Sequence, residues 1–138
     1  MSQKVEIQEA ISSFMNSFDL KDWTRMKEVL ADRILVDYSD LKNEDVQEIS
    51  AEDYVGRRVN LHEKLHLHHL ITNFEVDVGG RSASVLASCL IFRKAGQQSF
   101  NTHALYEFGL ILDEADNWKI KRIKQAVLWN DGDLQIEW

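Results

Sequence analysis

Phe100, Thr102, Ala104, Tyr106, Phe108, Leu110 and Leu112 take every second position of one continuous run, with His103 and Glu107 on the opposite parity. A period of two held this long demands an extended strand with one buried face. Upstream, Ala83, Val85, Ala87, Cys89 and Ile91 alternate in the same way, and Arg93 ends that face. The segment His66 to Val78 reads as a further strand, joined to the next through a hairpin turn at Gly79-Gly80. Lys94 to Gln98 contains Gly96 and reads as a loop, and Asp113 to Asn117 as a polar turn. Trp118 to Trp129 is the last strand. Its apolar parity switches near Lys121 or Arg122, which predicts a kink there. The last nine residues form a short tail ending at Trp138.

The first half obeys a different period. Ile7, Ile11, Phe14, Met15 and Phe18 recur at helical spacing, so residues 4 to 18 read as an amphipathic helix. Asp22 caps a short second helix carrying Trp23, Met26, Val29 and Leu30. Ile34 to Tyr38 is a short strand by composition, and residues 39 to 49 read as a loop. Ser50-Ala51-Glu52-Asp53 resembles a capping box. The helix after it puts Tyr54, Val55, Val59, His62 and Leu65 on one face, and Gly56 weakens it without ending it. Helices early and hairpin-linked strands late define an α+β fold. The expected assembly is a strongly bent, mostly antiparallel sheet with three helices closing one side around a concave pocket. Residues 1 to 138 read as one domain.

Charge and cysteine usage narrow the function classes. Acidic residues outnumber basic ones by 23 to 16, which argues against a nucleic-acid partner. Cys89 is the only cysteine, so no internal disulfide forms and a cytoplasmic home is the default. No apolar run is long enough for a membrane span, and Met1 to Ala10 is too polar for a signal peptide. His66 and His68 stand two apart on one strand face, a spacing metal sites use, yet no acidic residue or cysteine accompanies them at telling spacing. A bound metal is therefore not expected.

Five segments, in one order along the chain, carry a family likeness: Phe18 to Trp23, Ile34 to Tyr38, Ala51 to Gly56, His68 to Ile71 and Asn117 to Lys119. Together they resemble the scytalone dehydratases, part of the wider SnoaL-like, NTF2-like superfamily. The resemblance runs from about residue 7 to about residue 131. It implies a cone-shaped α+β barrel with the site inside the cone. It also implies dehydration of a cyclic hydroxy-ketone without a cofactor, by an Asp–His pair, two tyrosines and further polar groups. Asp19 falls on the family's aspartate, Tyr38 on one tyrosine and His69 on the catalytic histidine. Phe18 stands where the family has its other tyrosine, Arg93 roughly where it has a second histidine, and Ala104 and Tyr106 where it has a serine and an asparagine that hold substrate. Trp23 and Tyr54 fall within the matching segments and join Phe18, Arg93, Ala104 and Tyr106 as candidate substrate contacts. The family has a longer C-terminal lid, and set against it the stretch ending at Trp138 is expected to be a shortened one.

The chemistry follows from the residue types. A neutral imidazole accepts and returns a proton near pH 7, and a carboxylate on its other nitrogen fixes the tautomer. His69 would remove the proton alpha to a carbonyl, and Tyr38 would hydrogen-bond the developing enolate oxygen. Arg93 would add positive charge there, which suits an anionic substrate. Each residue also has a plainer reading: Asp19 as a turn residue, His69 as a strand histidine, Tyr38 as a core tyrosine, Arg93 as a solvated strand end. Parity sharpens the choice for His69. It shares strand parity with Glu75 and Asp77, which read as solvent-facing, while Phe74, Val76 and Val78 read as buried. His69 reaches the cavity only if the strand bulges between Leu70 and Phe74, where Thr72-Asn73 offers a place.

Two functions stay open. One is a cofactor-independent lyase or isomerase on a small cyclic or polyketide-like hydroxy-ketone. The other is a non-catalytic module that holds a small apolar ligand or serves as an oligomer interface. Association into a dimer or trimer is expected through the outer sheet face, whose side chains include Leu105, Ile111, Val127 and Trp129.

Overall fold

The computed structural model describes residues 2–133. The elements run α1 (Gln3–Leu20), α2 (Trp23–Val29), β1 (Leu30–Asp37), α3 (Ser39–Lys42), β2 (Gln47–Ser50), α4 (Ala51–Leu61), β3 (His66–Gly79), β4 (Ser82–Ala95), β5 (Gln98–Leu112) and β6 (Trp118–Gly132). The six strands form one sheet in the order β2-β1-β6-β5-β4-β3. Only β1 and β6 pair in parallel; the other neighbours are antiparallel. The fold is α+β, a curled sheet with its helices gathered on one face.

α1 forms because its apolar residues fall on one stripe and Ser2 accepts a capping bond from the Val5 N–H. Ile7, Ile11, Phe14, Met15 and Phe18 are all buried against the sheet. Lys21 adopts the left-handed conformation and returns its N–H to Phe18, which ends the helix with Asp19 in its final turn. On the sheet side, the alternating residues of β4 and β5 from Ala83 to Ile91 and from Ala104 to Leu110 make the facing half of the core.

Three irregularities bend the strands. In β3, Thr72 pairs with Ser88 but Glu75 pairs with Leu86, so Asn73 and Phe74 oppose Ala87 alone. Asn73 takes the left-handed conformation there, with φ 57°. This bulge puts Leu67, His69 and Ile71 on the same inward face as Phe74, Val76 and Val78. In β6, Lys121 is the extra residue between the Gly109–Arg122 and Leu110–Ile120 pairs, at the predicted kink. Leu128 is extra between the His103–Trp129 and Ala104–Val127 pairs.

Several sequence expectations are corrected. Residues 39 to 49 are not a plain loop: they hold α3 and the edge strand β2, so there are four helices among the described residues, one of them very short. Leu30 belongs to β1, not α2. α4 stops at Leu61, and its buried face is Ala51, Tyr54, Val55 and Arg58, while Val59 is 40% exposed. Leu65 lies beyond the helix and packs with Phe100. Val127 pairs with core-facing Ala104 and continues the inner parity of Ile123 and Gln125, so it is not on the outer face; the bulge at Leu128 is what separates it from outward Trp129. The final strand continues to Gly132, and the expected tail through Trp138 lies outside the described residues.

Candidate active site

The end of α1 lies over β3, and this packing brings Asp19 to His69. Asp19 Oδ1 is 2.7 Å from His69 Nδ1. The same carboxylate accepts the His69 backbone N–H at 3.1 and 2.9 Å. An anion in the last turn of a helix opposes the helix dipole, so these bonds compensate a position that is otherwise unfavourable. With Nδ1–H donated to the carboxylate, the neutral ring carries its lone pair on Nε2. Phe18 lies against the imidazole, with ring centroids 4.8 Å apart. His69 is 9% exposed. Burial lowers its pKa, the Asp19 contact opposes that, and the Arg93 cation adds to the lowering. The net effect keeps the ring neutral, and therefore basic, at neutral pH.

His69 forms part of the wall of a cavity of about 410 Å³, counted with the space at its mouth. Phe18, Tyr38, Arg93 and Tyr106 line it as well. The Tyr38 hydroxyl is 2.6 Å from that of Tyr54, and burial raises its pKa well above the ordinary phenol value. It is therefore a neutral hydrogen-bond donor and acceptor at any physiological pH. The Tyr106 hydroxyl accepts from Gln125 Nε2 at 2.8 Å, and burial raises its pKa too. Arg93 donates from Nη1 to Thr102 Oγ1 at 2.8 Å, and burial lowers its pKa to about 10.

Asp19 lies behind His69, outside the lining, and three of the candidate substrate contacts do not line the cavity either. Tyr54 is fully buried behind Tyr38 and holds that residue's hydroxyl. Ala104 is buried in the β5 layer between Cys89 and Val127, with a side chain too short to reach the opening. Trp23 is half-buried, its ring 6.5 Å from that of His62. His66 and His68 are exposed on the outer side of β3, and no group of three or more His, Cys, Asp or Glu is gathered among the described residues. His103 lies outside the cavity, stacked on Trp129 and bonded to Asp131.

The cavity also has walls that the sequence reading did not select. Lys42, Arg58, His62 and Gln125 all face it. Arg58 lies one helical turn past Tyr54, with its guanidinium 4.4 Å from the centre of that ring. Its signal in the sequence was the spacing Tyr54, Arg58, His62, a single helix face with a charge in its middle. Burial and the surrounding cations lower the His62 pKa to about 3 and the Lys42 pKa to about 8. Gln125 was findable as the residue whose β6 parity matches Ile123 on the inner face.

Comparison with known proteins places this geometry in context. The profile of the SnoaL-like domain family matches residues 1–124. A scytalone dehydratase-like protein, claB of Passalora fulva, is 33% identical over 58 residues, or 42% of this chain. The match spans only 36% of that protein's length. Among solved structures, the Kfla4162 protein of Kribbella flavida superposes with TM-score 0.88 at 18% identity, covering 93% of this chain and 92% of that one. The hexachlorocyclohexane dehydrochlorinase LinA-type3 of Novosphingobium barchaimii superposes with TM-score 0.75 at 17% identity, covering 98% and 92%. An NTF2-like protein of Cytophaga hutchinsonii gives 0.74 at 13% identity, covering 93% and 100%. These structural likenesses establish the fold as NTF2-like.

Proposed function

The chain belongs to the SnoaL-like domain family, and from that premise we propose that it is a cofactor-independent lyase or isomerase acting on a small cyclic hydroxy-ketone. The observation that carries this reading is the Asp19–His69 pair, 2.7 Å apart, with His69 in the wall of a cavity and Asp19 behind it. His69 Nε2 takes the proton alpha to the substrate carbonyl, and the electron pair of the broken C–H bond moves into the enolate. Asp19 holds the imidazolium that forms. The Tyr38 hydroxyl donates to the enolate oxygen, directly or through a water. Collapse of the enolate makes the new C=C bond and breaks the C–O bond to the beta hydroxyl. That hydroxyl leaves as water with the proton His69 had taken, which restores the neutral ring. An isomerase would use the same enolate and return the proton to a different carbon.

The neighbours' names agree with elimination chemistry in this scaffold: one is a dehydratase-like protein and another a dehydrochlorinase. A second reading, a ligand-holding or assembly module without catalysis, draws on Phe18 in the cavity wall and on the apolar outer face of the sheet. The two readings separate with His69→Ala and Asp19→Asn, assayed on a panel of ring hydroxy-ketones. Acid/base catalysis predicts that turnover drops by about 10²- to 10⁴-fold in each variant while the melting temperature holds within a few degrees. Variants that lose stability but keep turnover per folded molecule would leave the binding module as the better description.

A further inference from the structure

The wall of the cavity opposite the sheet carries positive charge. Lys42 at the end of α3 and Arg58 on α4 join Arg93 of β4 around the opening, and no Asp or Glu is among the residues that line it. Asp19 is spent behind His69. Arg58 is 7% exposed, forms no ion pair among the described residues, and leaves its buried Nε without a hydrogen-bond partner. Its compensation is the Tyr54 side chain, whose ring centre lies at 4.4 Å, the Tyr38 ring at 5.7 Å and, across the exposed α3 end, the field of the Glu44 carboxylate. A guanidinium is always charged, and burying one without an anion is costly. The nearby His62 ring also has a buried Nδ1 without a partner.

We propose that Arg58 and Lys42 form the seat of a carboxylate carried by the substrate, so that the ketone acted on by His69 belongs to an acidic molecule. The guanidinium fork of Arg58 takes the two carboxylate oxygens, its orphaned Nε supplying one of the donors, and Lys42 closes the seat from the α3 side. Arg93, bonded to Thr102 on the sheet side, adds to the positive field of the same opening. The mutual repulsion of these cations is visible in Lys42, whose pKa falls to about 8 through burial and through Arg58 and Arg93, with exposed Glu44 opposing. A bound anion removes that repulsion. The seat lies in the cavity of the proposed acid/base site, so the inference names the substrate class for that reading and rests on it for the identity of the reacting end.

The probes are benzoate and its neutral isostere benzamide, titrated into the protein at pH 7 and followed by amide chemical shifts in solution NMR. Benzoate binds at least about 10-fold more tightly than benzamide, as expected for a charge-assisted bidentate contact. Arg58→Gln removes the preference and Lys42→Gln reduces it, whereas His69→Ala keeps it. Lys42 is partly exposed, so Lys42→Gln folds and decides the matter if Arg58→Gln does not. Equal affinities for the two probes, no benzoate binding at millimolar concentration, or a preference untouched by both variants would overturn the seat. Failure of the seat leaves the His69→Ala turnover result standing. Failure of the acid/base reading would leave the benzoate preference standing, so the two are told apart.

Discussion

Asp19 and His69 hold each other in place through both backbone and ring, and the consequences are measurable residue by residue. The Asp19 carboxylate accepts the His69 N–H as well as Nδ1–H. Asparagine keeps one acceptor for the backbone but presents an amide to the ring, which favours the wrong tautomer. Asp19→Asn should therefore keep its thermal midpoint and lose its turnover. The pH dependence has a definite sign. Burial lowers the His69 pKa below the ordinary imidazole value, so the base stays unprotonated through neutrality. The rate constant kcat/KM should be flat around pH 7 and fall only on acidification below the usual imidazole range; a base limb above it would contradict the proposed role. His62 provides a separate stability test. Its pKa is about 3 in the fold and near 6.5 when unfolded, so the unfolded chain takes up a proton that the folded chain refuses. Stability from this group is complete above about pH 6.5 and declines by up to about 1.4 kcal/mol per pH unit as pH falls toward 3. In His62→Gln the difference in melting temperature between pH 7 and pH 5 should shrink, and calorimetry at the two pH values checks it.

At the scale of elements, the bulge of β3 decides whether there is a site at all. Strict alternation from Val78 back to His66 would turn His69 outward with Asp77 and Glu75. The extra residue at Asn73–Phe74 reverses the parity of everything before it. Asparagine suits the left-handed φ of 57° at this point, and a β-branched residue does not. Asn73→Val should lower stability by about 1–2 kcal/mol in chemical denaturation and reduce turnover, while Asn73→Gly should be close to neutral in both. The location of this bulge could be read from the sequence, because the apolar parity of residues 74 to 78 conflicts with a cavity-facing His69. The helix α1 and the strands β4 and β5 were legible because their periods are long and unbroken, and β3 and β6 because each keeps a clear period on either side of its break. β2 was not, since Gln47–Ser50 is short, polar and at a sheet edge, where composition says little. Arg58 and Gln125 escaped notice because a charged or amide side chain on an exposed-looking position is ordinarily solvated. Only the fold reveals that a cavity replaces the solvent. Tyr54, Ala104 and Trp23 show the converse: apolar and aromatic residues near a site in sequence serve as its backing and not as its lining.

For the molecule as a whole, the sheet has one face given to α1 and the cavity and another that no element among the described residues covers. On the open face Leu70 and Phe92 are exposed, Leu105 is partly so, and Trp129 is 56% exposed with its ring stacked on His103. A second copy of the chain covering this face would bury them, and we expect a dimer or trimer. Sedimentation equilibrium at micromolar concentration should give a multiple of the chain mass, and Trp129→Lys should shift it toward the monomer. A wild-type monomer at that concentration would remove the expectation. No described helix is long and apolar enough to cross a membrane. The central proposal concerns the cavity side, and exchange of substrate protons with solvent tests it most directly. Ring hydroxy-ketones, acidic and neutral, would be incubated in deuterium oxide with the wild-type protein, His69→Ala and Asp19→Asn, and deuterium at the alpha carbon followed by proton NMR. Acid/base action by the pair predicts incorporation at the alpha carbon or elimination with wild type for at least one ketone, and neither above the buffer rate with His69→Ala. Incorporation at equal rates in wild type and His69→Ala would contradict it.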